Sequence, residues 1–120
     1  MKKTLLACVV ALSSVNAIAE RADNHANASP IERGRYLVKI GGCNDCHTAG
    51  YGAKAGEVPE KDWLTGDALG WQGPWGTTYP ANLRLGFANI TEKQWLERAR
   101  QPMRPPMPWF ALRDMTDDDL

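Results

Sequence analysis

Two cysteines three residues apart, with a histidine directly after the second, limit what this chain can fold into more than any other feature. The motif is Cys43-Asn44-Asp45-Cys46-His47. A disulfide across so short a loop would constrain little of the unfolded chain, so it would add little stability. A chain this small needs some stabilisation beyond its apolar core. We therefore expect the two thiols and the imidazole to hold a bound group.

The first residues predict export from the cytoplasm. Two lysines precede an apolar run from Leu5 to Val15, and Ala17-Ile18-Ala19 is an A-x-A cleavage site. The run is too short to cross a bilayer, so we predict a signal peptide over residues 1–19, cleaved near Ala19, and no transmembrane segment in the mature chain. A lipoprotein signal ending at Cys8 is the alternative. Cleavage near Ala19 would place the protein in the periplasm.

The charge balance excludes one class of partner. The whole chain has 14 basic and 14 acidic residues. Losing two lysines with the signal peptide leaves a formal charge of about −2, which argues against nucleic acid or an anionic membrane as the main partner.

Composition and the residues typical of helix ends predict a short lead-in followed by one domain. Residues 20–29 are polar and alanine-rich, and residues 30–120 form the predicted domain. Ser29-Pro30 is typical of a helix start, and Gly41-Gly42 of its end, so the first helix leads directly to Cys43. Residues 49–90 show neither strand alternation nor a long helical period. So long an irregular segment is explained if it wraps a large flat ligand.

The last thirty residues alternate helical signals with proline. Thr91-Glu92-Lys93-Gln94 predicts a capping box at the start of a short helix. Prolines at 102, 105, 106 and 108 exclude helix from the segment that follows. Thr116, followed by three aspartates, is typical of the cap and first turn of another helix.

The cysteine–histidine motif has the spacing that attaches c-type haem. Cys43 and Cys46, one helical turn apart, can each form a thioether with a haem vinyl group, and His47 can then bind the iron. The other ring nitrogen of His47 needs an acceptor, which the sequence does not identify. A thioredoxin-like site, a zinc site completed by His25, and a plain disulfide are the alternatives.

A methionine is the candidate for the second axial position of the iron. His25 lies in the lead-in, which disfavours a second histidine ligand. Met107 lies among prolines that restrict its backbone, so we predict it as the distal ligand, with Met103 as the runner-up. Met115 is expected to pack at the start of the last helix. Histidine with methionine closes the iron to substrates and favours electron transfer.

On these residues the chain resembles a class I, mono-haem cytochrome c. The stretch ERGRYLVKIGGCNDCHTAG is similar to the family's first helix and haem site, and PPMPWF to its axial-methionine loop. GPWGTTYPANL and MPWFALRDMTDDDL resemble cytochrome c subunits of periplasmic alcohol or aldehyde dehydrogenases.

The resemblance implies a small all-α fold around one covalent haem with long irregular loops. It also implies thioethers at Cys43 and Cys46, a proximal ligand at His47 and a distal ligand at Met107. The family has a further C-terminal helix that crosses the first helix near a glycine matching Gly34, so we expect that helix to be truncated here.

The predicted function is electron transfer rather than catalysis. The chain would carry single electrons from a dehydrogenase to a respiratory acceptor, either another cytochrome or a terminal oxidase. A peroxidase-like catalyst and a haem-based gas sensor, both with an open iron position, are the alternatives. Arg84 and Arg104 are candidate partners of a haem propionate.

Overall fold

The computed structural model describes residues 28–120. The chain divides into two compact units between Arg33 and Gly34, and only residues 28–33 of the first unit are described. The predicted signal peptide, most of the predicted lead-in and His25 lie outside the described residues. Within the described range, no helix is both long and apolar enough to span a bilayer.

Helix α1 (Pro30–Ile40) and helix α2 (Cys43–His47) are separated by two glycines. Ser29 caps α1, because its hydroxyl accepts from the Glu32 N–H at 3.3 Å while the Glu32 carboxylate accepts from the Ser29 N–H at 2.9 Å. At the other end the Gly41 N–H donates to the Leu37 carbonyl at 2.8 Å, and the chain then turns. The predicted start and end of this helix are confirmed.

The apolar side chains of α1 are only partly covered. Leu37 and Val38 are half-buried, whereas Ile31 and Ile40 are 74% and 61% exposed. No residue of α1 is fully buried. Packing on this helix therefore involves its middle turn more than its ends.

Residues 49–90 form long loops, as predicted, but short regular elements that were not predicted lie among them. They contain short 3₁₀ helices at Gly52–Lys54 and Glu60–Asp62 and a five-residue helix, α3 (Leu83–Phe87). Between these lies a hairpin of β1 (Trp71–Gly73) and β2 (Gly76–Thr78). The domain is thus mostly helical with one hairpin and long loops, rather than purely helical.

The hairpin depends on close packing around its turn. Trp71 pairs with Thr78 and Gly73 with Gly76, so the turn is Pro74-Trp75. A Cβ at Gly73 would overlap the Trp75 ring, so only glycine allows the indole to fold back over the strand. Strands of three residues carry too little alternation to be recognised in sequence.

The C-terminal part contains α4 (Glu92–Ala99) and α5 (Trp109–Arg113). The predicted capping box of α4 is confirmed, since the Thr91 hydroxyl accepts from the Gln94 N–H at 3.3 Å and the Gln94 side chain accepts from the Thr91 N–H at 2.8 Å. The prolines at 102–108 form irregular chain, as expected. The Thr116 hydroxyl accepts from the Asp119 N–H at 3.2 Å, which is the geometry of a cap.

Little apolar side-chain surface is fully buried. Among the described apolar residues only Trp63 and Ala99 are buried. The Trp63 indole donates to the Val58 carbonyl at 2.8 Å, and Tyr51 packs edge-on against its ring. Large exposed apolar residues of the second unit include Ile40, Leu69, Trp71, Trp75, Tyr79, Leu85, Phe87, Ile90 and Phe110.

Candidate cofactor site

The two cysteines lie on the single turn of helix that forms α2. Both are half-buried and neither is in a disulfide. Burial raises the pKa of the Cys43 thiol and that of the Cys46 thiol, and the nearby Asp45 carboxylate raises both further. Both groups are therefore protonated at neutral pH, whereas redox-active cysteines have a depressed pKa.

His47, the last residue of α2, has its imidazole fixed by a backbone carbonyl. Its Nδ1 lies 2.8 Å from the carbonyl oxygen of Ala81. A carbonyl only accepts, so Nδ1 carries the proton and the lone pair is on Nε2. This is the tautomer that can bind a metal through Nε2 while the other nitrogen is held by the protein. The acceptor that the sequence left unidentified is Ala81.

Gly66 brings the Ala81 segment close to His47. Its N–H donates to the His47 carbonyl at 2.8 Å, and its φ of +86° is one that glycine adopts readily. A Cβ at this position would lie 3.0 Å from the Pro80 carbonyl oxygen and 3.0 Å from the Asn82 nitrogen. A side chain at residue 66 would therefore push the Ala81 carbonyl away from the imidazole.

Asn44, within α2, and Thr48, directly after it, form a buried polar pair. They are 0% and 1% exposed. The Thr48 hydroxyl donates to the Asn44 side-chain oxygen at 2.7 Å and accepts from the Leu64 N–H at 2.8 Å. The Asn44 side-chain nitrogen is buried without a hydrogen-bond partner. Sequence reasoning missed this pair, because a polar residue inside the motif carries no signal of its own burial.

Met107 lies in the proline-rich loop before α5. Its N–H donates to the Arg104 carbonyl at 3.2 Å, and its own carbonyl accepts from the Trp109 N–H at 2.9 Å. The loop is joined to the hairpin where the Thr78 hydroxyl donates to the Pro105 carbonyl at 2.7 Å. Met107 and Met103 are both half-buried, so burial does not separate the two candidates.

Arg84 holds the loop near Trp63 in place. Its Nε donates to the Trp63 carbonyl at 2.6 Å and its Nη2 to the Glu60 carbonyl at 2.7 Å. Both bonds go to backbone oxygens. The structure therefore gives Arg84 a structural role in the loop, and Arg104 remains the freer of the two candidates for a propionate partner.

These residues fit a covalent c-type haem better than the alternatives. Two protonated thiols one turn apart are followed by an imidazole whose free nitrogen is defined by the bond to Ala81. Within residues 28–120 no group of three or more histidine, cysteine, aspartate or glutamate side chains is placed to hold a metal ion.

Comparison with known proteins gives relatives but no matching structure. No protein-family model and no solved structure matches the chain. The chain is 27% identical over 132 residues to "Alcohol dehydrogenase (quinone), cytochrome c subunit" of Gluconacetobacter polyoxogenes and, equally, to that of Komagataeibacter europaeus. Each alignment covers 100% of this chain and 25% of the relative.

A third protein of the same description, from Gluconobacter oxydans (strain 621H), is 28% identical over 127 residues, which cover 96% of this chain and 24% of the relative. The chain thus spans about a quarter of the length of the curated relatives it matches. The predicted resemblance to cytochrome c subunits of dehydrogenases is confirmed over the whole chain.

Proposed function

We propose that this chain, similar throughout its length to cytochrome c subunits of quinone alcohol dehydrogenases, is a c-type cytochrome domain with one covalent haem that transfers single electrons in the periplasm. A bound haem would supply an iron that alternates between ferric and ferrous states. The similarity to dehydrogenase cytochrome subunits supports electron transfer as the role. The single motif in the chain supports one haem.

The observation that carries the proposal is the hydrogen bond between His47 Nδ1 and the Ala81 carbonyl, 2.8 Å long. It fixes the ring and its tautomer, so Nε2 is available as a ligand without a cost in ring-orientation entropy. Cys43 and Cys46 on the same short helix would anchor the group through thioethers. Covalent attachment would also supply the stabilisation that a domain with so few buried apolar residues lacks.

Met107 is the proposed distal ligand. Its backbone N–H and carbonyl are both hydrogen-bonded, and the loop around it is tied to β2 through Thr78. A thioether on a restrained backbone loses little entropy on binding iron. With His47 it would leave no position for a substrate, which favours a carrier over a peroxidase-like catalyst or a gas sensor.

The proposed partners are a dehydrogenase as electron donor and a cytochrome or terminal oxidase as acceptor. The donor follows from the relatives, which are described as subunits of a quinone alcohol dehydrogenase. Contacts between redox partners are small and short-lived, so neither partner needs a large apolar surface on this domain.

The test is to express the chain with a cytochrome c maturation system. Mass spectrometry should show one haem per chain, and the optical spectrum should be low-spin in both oxidation states and unchanged by carbon monoxide. Replacing both Cys43 and Cys46 with Ala should abolish attachment, whereas Asp45→Asn, at the exposed position of the same turn, should not.

Two results would contradict the proposal. A chain that gains no mass under maturation has no covalent haem. A high-spin spectrum that shifts with carbon monoxide would show an open iron position, and the catalyst or gas sensor would then be the better interpretation.

A further inference from the structure

We propose that Thr48 is a positioning residue for His47: its buried hydroxyl holds the loop that presents the Ala81 carbonyl to the imidazole, and it thereby tunes the reduction potential. This inference rests on the proposed function, since it concerns the protein side of an iron ligand. It assigns a role to a residue outside the Cys-x-x-Cys-His motif.

The first step is the hydrogen bonding of Thr48. The side chain is 1% exposed, and its hydroxyl both donates to Asn44 Oδ1 at 2.7 Å and accepts from the Leu64 N–H at 2.8 Å. Because Asn44 takes the hydroxyl proton, a lone pair of the oxygen faces Leu64. The Asn44–Thr48 pair therefore acts as one oriented acceptor for the Leu64 backbone.

The second step is the conformation of Leu64. Its φ is +60°, in the left-handed region that a leucine rarely adopts. For a residue with a Cβ this conformation is unfavourable, so the surroundings must hold it. They do so on both sides, since Thr48 accepts the Leu64 N–H while the Leu64 carbonyl accepts from the Leu83 N–H at 2.9 Å.

The third step connects Leu64 with Ala81. Leu83 lies two residues beyond Ala81, so its bond to Leu64 places the Ala81 peptide. Gly66, two residues beyond Leu64, donates to the His47 carbonyl and lies against Pro80 and Asn82. Two hydrogen bonds of Leu64, to Thr48 and to Leu83, together with the short covalent segments Leu83–Ala81 and His47–Thr48, thus connect the backbone of His47 with the carbonyl that its ring binds.

The consequence is electronic as well as structural. An imidazole that donates its Nδ1–H to a well-placed carbonyl is a more basic ligand, which stabilises the more positively charged ferric iron. Releasing Leu64 would let the Ala81 carbonyl move and would weaken that bond. We therefore expect the reduction potential to rise when the Thr48 hydroxyl is removed.

The experiment compares three variants as matured holoproteins. Thr48→Val keeps the shape and removes the hydroxyl, and Thr48→Ser keeps the hydroxyl. Thr65→Val is the matched control, because the Thr65 hydroxyl lies in the same loop but donates its hydrogen bond to the Asp62 carbonyl, at 2.9 Å. For each we would measure the midpoint potential, the hydrogen exchange of the Leu64 and Gly66 amides, and the NMR shift of the His47 ring protons.

The expected result has three parts. Thr48→Val shifts the midpoint potential upward, moves the His47 ring resonances and increases exchange at both amides at least tenfold. Thr48→Ser restores parent-like values, and Thr65→Val leaves them unchanged. A purely structural role for Thr48 would lower stability without moving the potential or the ring resonances, and that outcome overturns the proposal.

A further variant keeps the proposal testable if Thr48→Val does not mature. Asn44→Ala keeps the Thr48 hydroxyl but removes the acceptor of its proton, and it should shift the potential in the same direction by a smaller amount. No shift in that variant overturns the proposal. Failure of the proposed function would instead appear in the parent protein, which would carry no haem.

Discussion

At the residue scale, the two ring nitrogens of His47 have different surroundings. This difference leaves one defined nitrogen available as a ligand atom. Nδ1 is committed to the Ala81 carbonyl, which leaves Nε2 as the ligand atom. The thiols of Cys43 and Cys46 have pKa values raised mainly by burial, so they are present as neutral groups. The two thiols are thus neutral near pH 7, and the imidazole has one ring nitrogen committed to a backbone carbonyl.

Replacing Met107 with Ala tests the second axial ligand. We expect the holoprotein to lose low-spin character and to bind carbon monoxide. Its potential should fall by tenths of a volt, since axial ligands and their surroundings set haem potentials over a range of about 0.8 V. Optical spectroscopy and redox titration measure both effects.

Met103→Ala is the matched control, because Met103 lies in the same loop and is equally half-buried. It should leave the spectrum unchanged. The reverse pattern, with Met103→Ala losing low-spin character and Met107→Ala unaffected, would make Met103 the ligand.

At the scale of elements, the hairpin of β1 and β2 connects to the methionine loop. The contact is the bond from the Thr78 hydroxyl to the Pro105 carbonyl, 2.7 Å long. Because Pro105 lies two residues before Met107, the hairpin restrains the loop from outside. The hairpin, which was not predicted from the sequence, thus supports Met107, which was predicted as the distal ligand.

Thr78→Val should weaken that restraint. Losing one side-chain hydrogen bond should lower the free energy of unfolding by about 1 kcal/mol. The loosened loop should also let carbon monoxide bind slowly to the reduced protein. Chemical denaturation measures the first effect, and spectra recorded under carbon monoxide measure the second.

Thr77→Val serves as the comparison for this variant. Thr77 is exposed on the same strand and pairs with Gln72 through the backbone only. It should show neither effect. Equal behaviour of the two valine variants would mean that the hairpin does not restrain the loop.

At the scale of the whole molecule, Arg100 joins α4 to the C-terminal segment. Its Nη1 donates to the carbonyls of Leu112, Arg113 and Met115 at 3.0, 2.6 and 2.8 Å, and its Nη2 pairs with the Asp117 carboxylate. The side chain is 30% exposed. One guanidinium therefore binds three carbonyls at and just beyond the end of α5, one of which, that of Leu112, also accepts from the Met115 N–H at 3.2 Å.

Arg100→Gln should lower the free energy of unfolding by roughly 2 kcal/mol, because bonds from a charged donor are worth more than neutral ones. Arg113→Gln removes an arginine whose ion pair with Asp114 is exposed, and it should change stability little. Thermal unfolding of both holoproteins makes the comparison. Similar losses in the two variants would show that Arg100 adds nothing beyond an ordinary surface charge.

The sparse core leads to a prediction about folding without haem. Among the described apolar residues only Trp63 and Ala99 are buried, which is little for about 90 residues. The double variant Cys43→Ala, Cys46→Ala should therefore lose most of its far-UV helical signal. A cooperative, native-like unfolding transition in that variant would show that the protein chain alone suffices.

Local sequence determined the features that depend on neighbours along the chain. The capping pairs Ser29–Glu32 and Thr91–Gln94, the glycine end of α1 and the absence of helix at the prolines all follow from groups three or four residues apart. The Cys-x-x-Cys-His motif is local as well, because one helical turn brings its members together.

Only the tertiary structure decided which distant groups meet. Every residue has a carbonyl, so nothing in the sequence distinguishes Ala81 as the acceptor for His47, 34 residues away. The same holds for the bond of Thr48 to Leu64 and for that of Thr78 to Pro105. Backbone acceptors have no side-chain signature, and their selection depends on how loops of this particular length and curvature pack.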